Sequence, residues 1–334
     1  MEVVVNIMDR FKGQEEYAFT LITLISHLRT FLEERQCSHT EILRVQKCWI
    51  AEPNGTNHTT KRSLLLLEDV KHLGFKDVTQ QFSEGFDYEH SVLVISALAR
   101  FHAASYCFRK STRFNWNKKY PSILTEIVVP KLSTETATML EKIFKEHTDY
   151  SKYAVLFMGL VRGEMEMMNK KLESFGVLSH GNLTKQNMIF KYKSAVDSKQ
   201  FCSDVVFQDP YSFHYGSCVL DLLQLILTSI DPHVRRCFMP DFVCSVYYDS
   251  FVKTVGSIDN NIPVFSKTSF IAEFDQNIMY GFLFSTKFHS NIHKHSGKED
   301  SVPAYKKNIM RIMRDVIQFK LNTTATLKLE ANLK

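Results

Sequence analysis

Apolar and polar positions follow two rhythms along this chain, and the change from one to the other divides it. From Glu2 to Met8 the run Val3-Val4-Val5, broken by Asn6, predicts a short strand through its β-branched content. Residues from about Phe11 to Glu34 then place Ala18, Leu21, Ile22, Ile25, Leu28 and Leu32 at helical spacing. Residues 45–51 and 63–69 read as two strands of a hairpin around the turn-rich stretch Pro53-Asn54-Gly55-Thr56-Asn57. From Glu89 onward the rhythm is helical, with Val92, Leu93, Ile95, Leu98, Ala99 and His102 on one stripe. Residues 121–175 predict two more amphipathic helices, whose Met167 and Met168 read as core filler. Segments 240–255, 268–285 and 303–321 complete a helical large unit, and residues 322–334 read as a frayed tail.

Two stretches interrupt the helical part, and both carry chemistry. In Ser179-His180-Gly181-Asn182-Leu183-Thr184-Lys185-Gln186-Asn187 the spacing is that of a phosphotransferase catalytic loop, His-x-Asp-x-x-x-x-Asn. In that pattern the Asp takes a proton from the attacking hydroxyl and the Asn helps hold magnesium. Here His180 and Asn187 keep their places, while the base position is Asn182. Further on, Val205-Val206-Phe207-Gln208 reads as a buried strand ending on Asp209, the type of residue that holds the metal bridging nucleotide phosphates. Tyr215-Gly216-Ser217 then opens an apolar helix bearing Asp221, a residue placed to hold the loop by accepting its backbone N–H groups.

These residues resemble the ecdysteroid-kinase-like (CHK-kinase-like) proteins of insects, relatives of choline and aminoglycoside kinases. That family carries His-Gly-Asp with the later Asn, then Asp-Phe-Gln, then Tyr-Gly-Ser with a following Asp-Leu. The chain offers His180-Gly181-Asn182, Gln186-Asn187, Asp209-Pro210-Tyr211, Tyr215-Gly216-Ser217 and Asp221-Leu222. Upstream, Leu67-Glu68-Asp69-Val70 with Gly74-Phe75 is similar to the family's hinge between lobes. Phe86-Asp87-Tyr88-Glu89-His90 and Leu98-Ala99-Arg100-Phe101-His102-Ala103-Ala104-Ser105 are similar to the helix after it.

The resemblance implies an α+β, protein-kinase-like, two-lobed fold: a truncated N-terminal β lobe over residues 1–70 and a mostly α-helical C-terminal lobe over 71–321. It implies ATP and Mg2+ as cofactors, with Asn187 and Asp209 as the metal ligands. Backbone groups of Glu68, Asp69 and Val70 would meet the adenine edge. Asn6 falls where the family has the lysine that contacts the phosphates, and Glu15, or next Glu16, where a helix glutamate pairs with that lysine. With the lysine position changed, a solvated acidic face explains Glu15 equally well. The alignment also predicts that the chain begins inside the small lobe, since no Gly-x-Gly-x-x-Gly occurs in it.

Asn182 and Asn6 remove, respectively, a proton acceptor and a positive charge from the chemistry, so weak or absent phosphotransfer is expected. The acceptor implied by the resemblance is a small lipophilic alcohol, of ecdysteroid or xenobiotic type. Two other readings stay open: a non-catalytic binding module, that is a pseudokinase, and an incomplete gene product whose Val3-Val4-Val5 edge favours aggregation.

Bulk properties narrow the rest. A chain of 334 residues can bury a large core. Its net charge of +5, from 41 Lys and Arg against 36 Asp and Glu, is too weak and dispersed to argue for nucleic acid. Seven cysteines without a Cys-x-x-Cys point to free thiols in a reducing compartment. No signal peptide and no apolar run of membrane-spanning length is expected, so the sequence reads as cytoplasmic. His102 reads as a packed, hydrogen-bonded histidine. His289, His293 and His295 read as a solvated loop in preference to a metal site.

Overall fold

A computed structural model describes residues 3–9, 14–52, 62–112, 132–146, 157–159, 172–194, 200–208, 213–296 and 301–332. For 3–9, 14–21, 50–52, 62–65, 172–173, 293–296, 301–304 and 321–332 the description is of the backbone alone.

Strand β1 (Val3–Asp9) pairs antiparallel with β3 (Arg62–Glu68), Asn6 standing opposite Leu65, and β3 pairs in turn with β2 (Cys48–Glu52). The sheet order is therefore β1-β3-β2. Helix α1 (Gln14–Glu34) and the one-turn α2 (His39–Ile42) connect β1 to β2. The apolar spacing of α1 has its expected consequence: Leu24, Ile25, Leu28, Phe31 and Leu32 are all buried.

A linker from 69 to 87 joins this sheet to the helical unit. It is fastened by an isolated bridge at each end, Lys76 to Phe190 and Phe86 to Ile230. Gly85 sits where the linker passes closest to the body, at φ +131°, and a methyl there would strike the backbone of Ile230 and Asp231. Only glycine meets both demands without strain.

Helix α3 (Tyr88–Thr112) runs through the centre, buried on nearly every side from Val94 to Phe108. It is long and apolar enough to cross a membrane by length and composition, against the expectation that no such run exists. Its burial in the core accounts for that composition. Helix α4 (Thr134–Glu146) supplies one of the two helices expected between 121 and 175, and Met167 and Met168 lie outside the described residues. One-turn α5 (Leu172–Phe175) leads into β4 (Gly176–Ser179), which pairs with β7 (His214–Ser217), while β5 (Met188–Ser194) pairs with β6 (Gln200–Phe207).

Beyond β7 the chain is helical. Every residue of α6 (Val219–Ser229) is buried. Helix α7 (Pro232–Asp241) runs into a π-helical segment, Phe242–Tyr248, just after Pro240 removes a donor from the ladder. Helices α8 (Asp249–Ile258), α9 (Lys267–Ser296) and α10 (Ser301–Asn332) finish the fold. The α+β arrangement of a small β unit and a helical large unit is thus as the sequence implied. Two local readings are corrected. His289, His293 and His295 belong to α9 rather than to a loop, and the backbone stays helical through Asn322 to Asn332 where a frayed tail was expected.

Candidate active site

Strand β4 ends at Ser179, and the next eight residues form a loop that one buried carboxylate holds from beneath. Asp221, two residues into α6, accepts the backbone N–H of His180 at 2.5 Å and of Gly181 at 2.8 Å. The turn that presents both N–H groups to it requires φ +81° at Gly181, a value that glycine adopts freely. The imidazole of His102, fully buried on α3, donates from Nε2 to the same carboxylate at 3.1 Å. Its Nδ1 then accepts the hydroxyl of Tyr247 at 2.6 Å, from the π-helical segment.

Burial by itself would raise the Asp221 pKa. The His102 hydrogen bond and the imidazoles of His102, His180 and His214 outweigh it and hold the group at about 2. Asp221 is therefore a stable buried anion beneath the loop.

The loop is closed at both ends by its own residues. His180 Nε2 donates to the Gln208 carbonyl at 2.7 Å. Gln208 N–H donates to the Asn187 carbonyl at 2.8 Å, so the end of β6 is pinned from two sides immediately before Asp209. Asp209 itself lies outside the described residues. Asn187 closes the short 3-10 turn Lys185–Asn187, and its Nδ2 donates to the Asn182 carbonyl at 2.8 Å. That carbonyl also accepts the Thr184 N–H at 2.9 Å. An amide oxygen is a hard donor of the type that suits Mg2+. Asn182, which the sequence aligns with the base of the motif, is half-buried, with a side chain that can hydrogen-bond a hydroxyl but offers no basic group.

The hinge is arranged differently from an open nucleotide edge. The Glu68 carbonyl accepts the Val70 N–H at 3.0 Å and the Gln46 Nε2 at 2.8 Å, while the Glu68 N–H donates to the Lys47 carbonyl at 2.8 Å. Asp69 Oδ1 caps the N–H groups of Lys71 and His72 at 3.0 and 3.2 Å. Of the groups expected to receive adenine, the Glu68 carbonyl and the Val70 N–H are thus bonded to each other. On the sheet, Asn6 lies mid-strand in β1 and Glu15 in the first turn of α1, their side chains outside the description.

Sequence reasoning missed four residues that the fold brings to this region. Gln224 Oε1 accepts the Leu183 N–H at 3.1 Å, and Gln224 Nε2 donates to Tyr280. Tyr247 completes the line to Asp221, and Gln46 reaches the hinge. Lys185 turns away from the base position, its Nζ donating to the carbonyls of Phe82 and Ser83 at 2.8 and 3.0 Å. Only Lys185 carried a signal, by lying inside the motif. Beside it opens a cavity of about 330 Å³, between the linker, α6, α9 and α10. Among the described residues no group of three or more His, Cys, Asp and Glu side chains could hold a metal ion.

The sequence model of the ecdysteroid kinase-like family matches residues 23–260, well over half of the chain. No protein of curated function matches it by sequence. Solved structures similar in shape include an amicoumacin kinase in complex with AMP-PNP, Ca2+ and Ami, at 9% identity, covering 94% of this chain and 81% of that one with a TM-score of 0.46. A choline/ethanolamine kinase family protein from Mesorhizobium loti is 8% identical, covers 95% and 87%, and scores 0.39. A choline kinase from Streptococcus pneumoniae is 9% identical, covers 94% and 86%, and scores 0.36.

Proposed function

Because the chain belongs to the ecdysteroid kinase-like family, we propose that it is a small-molecule phosphotransferase domain, built for ATP and a hydroxyl acceptor, whose catalysis is reduced or lost. The observation that carries this reading is Asn182, standing at the base position in a loop that is otherwise fully held by Asp221, His180 and Asn187. The scaffold of the site is kept and the proton acceptor is not. Loss of a positioned general base costs about 10²- to 10⁴-fold in rate. Asn187 and Asp209 are the residues that would hold Mg2+, which would supply charge neutralisation at the phosphates when bound.

A second reading, a binding module of pseudokinase type, is favoured by the hinge. Adenine would have to displace the Val70 N–H from the Glu68 carbonyl to form its own hydrogen bonds. The seven cysteines all carry free thiols, which supports placing the protein in the reducing cytoplasm. An acceptor of ecdysteroid or xenobiotic type is part of the proposal, and an insect source accompanies it.

The test is the melting temperature of the protein with and without Mg2+ and ATP, alongside Asp209→Ala. Ligand at about 100 times its dissociation constant adds roughly 2.7 kcal/mol to stability. A metal-dependent shift lost in Asp209→Ala supports a retained nucleotide site, and Asn182→Asp should then raise ATP turnover by about 10²-fold or more. No shift in a folded sample, or equal turnover before and after the Asn182→Asp change, removes the phosphotransferase reading and leaves the binding module.

A further inference from the structure

The cavity beside Lys185 has two unlike ends. One wall is apolar, made by Leu227, Ile230, Phe288 and Ile312, with Ile292 at the mouth, 44% exposed. The other end is cationic. Lys185 lines it, and among the described residues its Nζ bonds the neutral carbonyls of Phe82 and Ser83. Arg235 also lines this end, held by Asp315 at 2.7 Å, but Asp315 is shared with Arg236 and Arg314 at 3.4 and 3.9 Å. Glu84, the acid at the rim, is paired with Arg311 at 2.8 Å. Among the lining side chains the cations Lys185 and Arg235 outnumber the one acid, Glu84, within reach of an apolar wall. Among the described residues no carboxylate bonds Lys185 Nζ directly, and an incoming anion would supply that charge-assisted contact.

We propose that this cavity binds an amphipathic anion, a molecule with a carboxylate or phosphate head on an apolar skeleton, its head at Lys185 and its body along α6, α9 and α10. Neutral alcohols and organic cations of the same skeleton are disfavoured. That such a ligand is also the phosphoryl acceptor rests on the reading above; that it binds does not. His289 lines the same cavity and supplies a further polar group for the head.

Three probes that share a chain and differ in charge decide the matter: decanoate, decanol and decyltrimethylammonium, each titrated into the full chain by calorimetry. Decanoate is expected to bind at least about tenfold more tightly than the other two. Lys185→Gln should erase that preference. Because Lys185 also ties the linker carbonyls, Ile292→Asp and Ile292→Lys at the exposed mouth provide a second comparison. Both lose the same apolar contact, and the Asp form should bind decanoate about tenfold more weakly than the Lys form. Equal binding of the three probes, preference for the alcohol or the cation, no binding, or identical affinities in the two Ile292 variants each overturns the proposal. Decanoate selectivity in a protein that shows no Mg-ATP shift leaves this inference standing and removes the phosphotransferase reading. A Mg-ATP shift without decanoate selectivity does the reverse.

Discussion

Asp221 is the residue on which the candidate site most depends. Its carboxylate satisfies two loop N–H groups and one imidazole in a fully buried setting. Asp221→Ala leaves all three donors without an acceptor, and urea unfolding should show a loss of at least about 3 kcal/mol. Tyr247→Phe removes the donor to His102 Nδ1 together with the hydroxyl's contact to Cys218, and should cost about 1 kcal/mol in the same assay. Acid should act in two steps. His289 has an ordinary pKa of 6.5 but is held at about 4, first by burial and then by Arg235 and Lys185. Below 6.5 the unfolded chain takes up a proton there that the folded chain refuses, so stability is full above that pH and falls toward pH 4. Asp221 contributes stability that is present above its ordinary 3.8 and is lost as pH falls toward 2. In pH-dependent urea melts, His289→Gln should flatten the first step and leave the second.

Glycines report how closely the elements pack. At Gly281 of α9 a Cβ would stand 2.8 Å from Leu227 Cδ1 and 2.9 Å from Leu223 Cβ of α6. Gly281→Ala should destabilise by about 1–3 kcal/mol through overpacking. At Gly256, inside α8, nothing lies within 4 Å of the same added atom. Gly256→Ala should stabilise by about 0.5–1 kcal/mol, because a helix-interior glycine is penalised and the methyl meets no neighbour. Opposite signs in thermal melts of the two variants are the expected result. The elements themselves were legible to different degrees. Helix α1 announces itself by period, since Leu24, Ile25, Leu28, Phe31 and Leu32 bury one face, and strand β1 by its β-branched content. Helix α3 is buried nearly all round, which accounts for an apolar length that the sequence reading did not register. The histidine-rich end of α9 read as a loop because local polarity outweighed the helical contacts that its more distant neighbours supply.

At the scale of the molecule, the ion pair between Arg235 of α7 and Asp315 of α10 joins two helices far apart in sequence, both side chains almost wholly buried. Arg235 Nη1 donates to the carbonyls of Ile226 and Ile230, 3.4 Å away, which ties α7 back to α6. Asp315→Ala leaves a buried cation unpaired, and chemical denaturation should show a loss of about 3–5 kcal/mol. The loop motif, Asp221 beneath it and the sheet-then-helix order could be read from the chain because each is a local pattern: a spacing, a capping position, a period. The self-bonded hinge, the Tyr247–His102–Asp221 line and the two-ended cavity at Lys185 were decided only by the tertiary structure. Gln46 and Glu68, His102 and Tyr247, or Lys185 and His289 are set apart by tens of residues or more, and no local rule links such pairs. Which polar groups meet across that distance depends on how the helices and strands pack, and packing is a property of the whole folded chain.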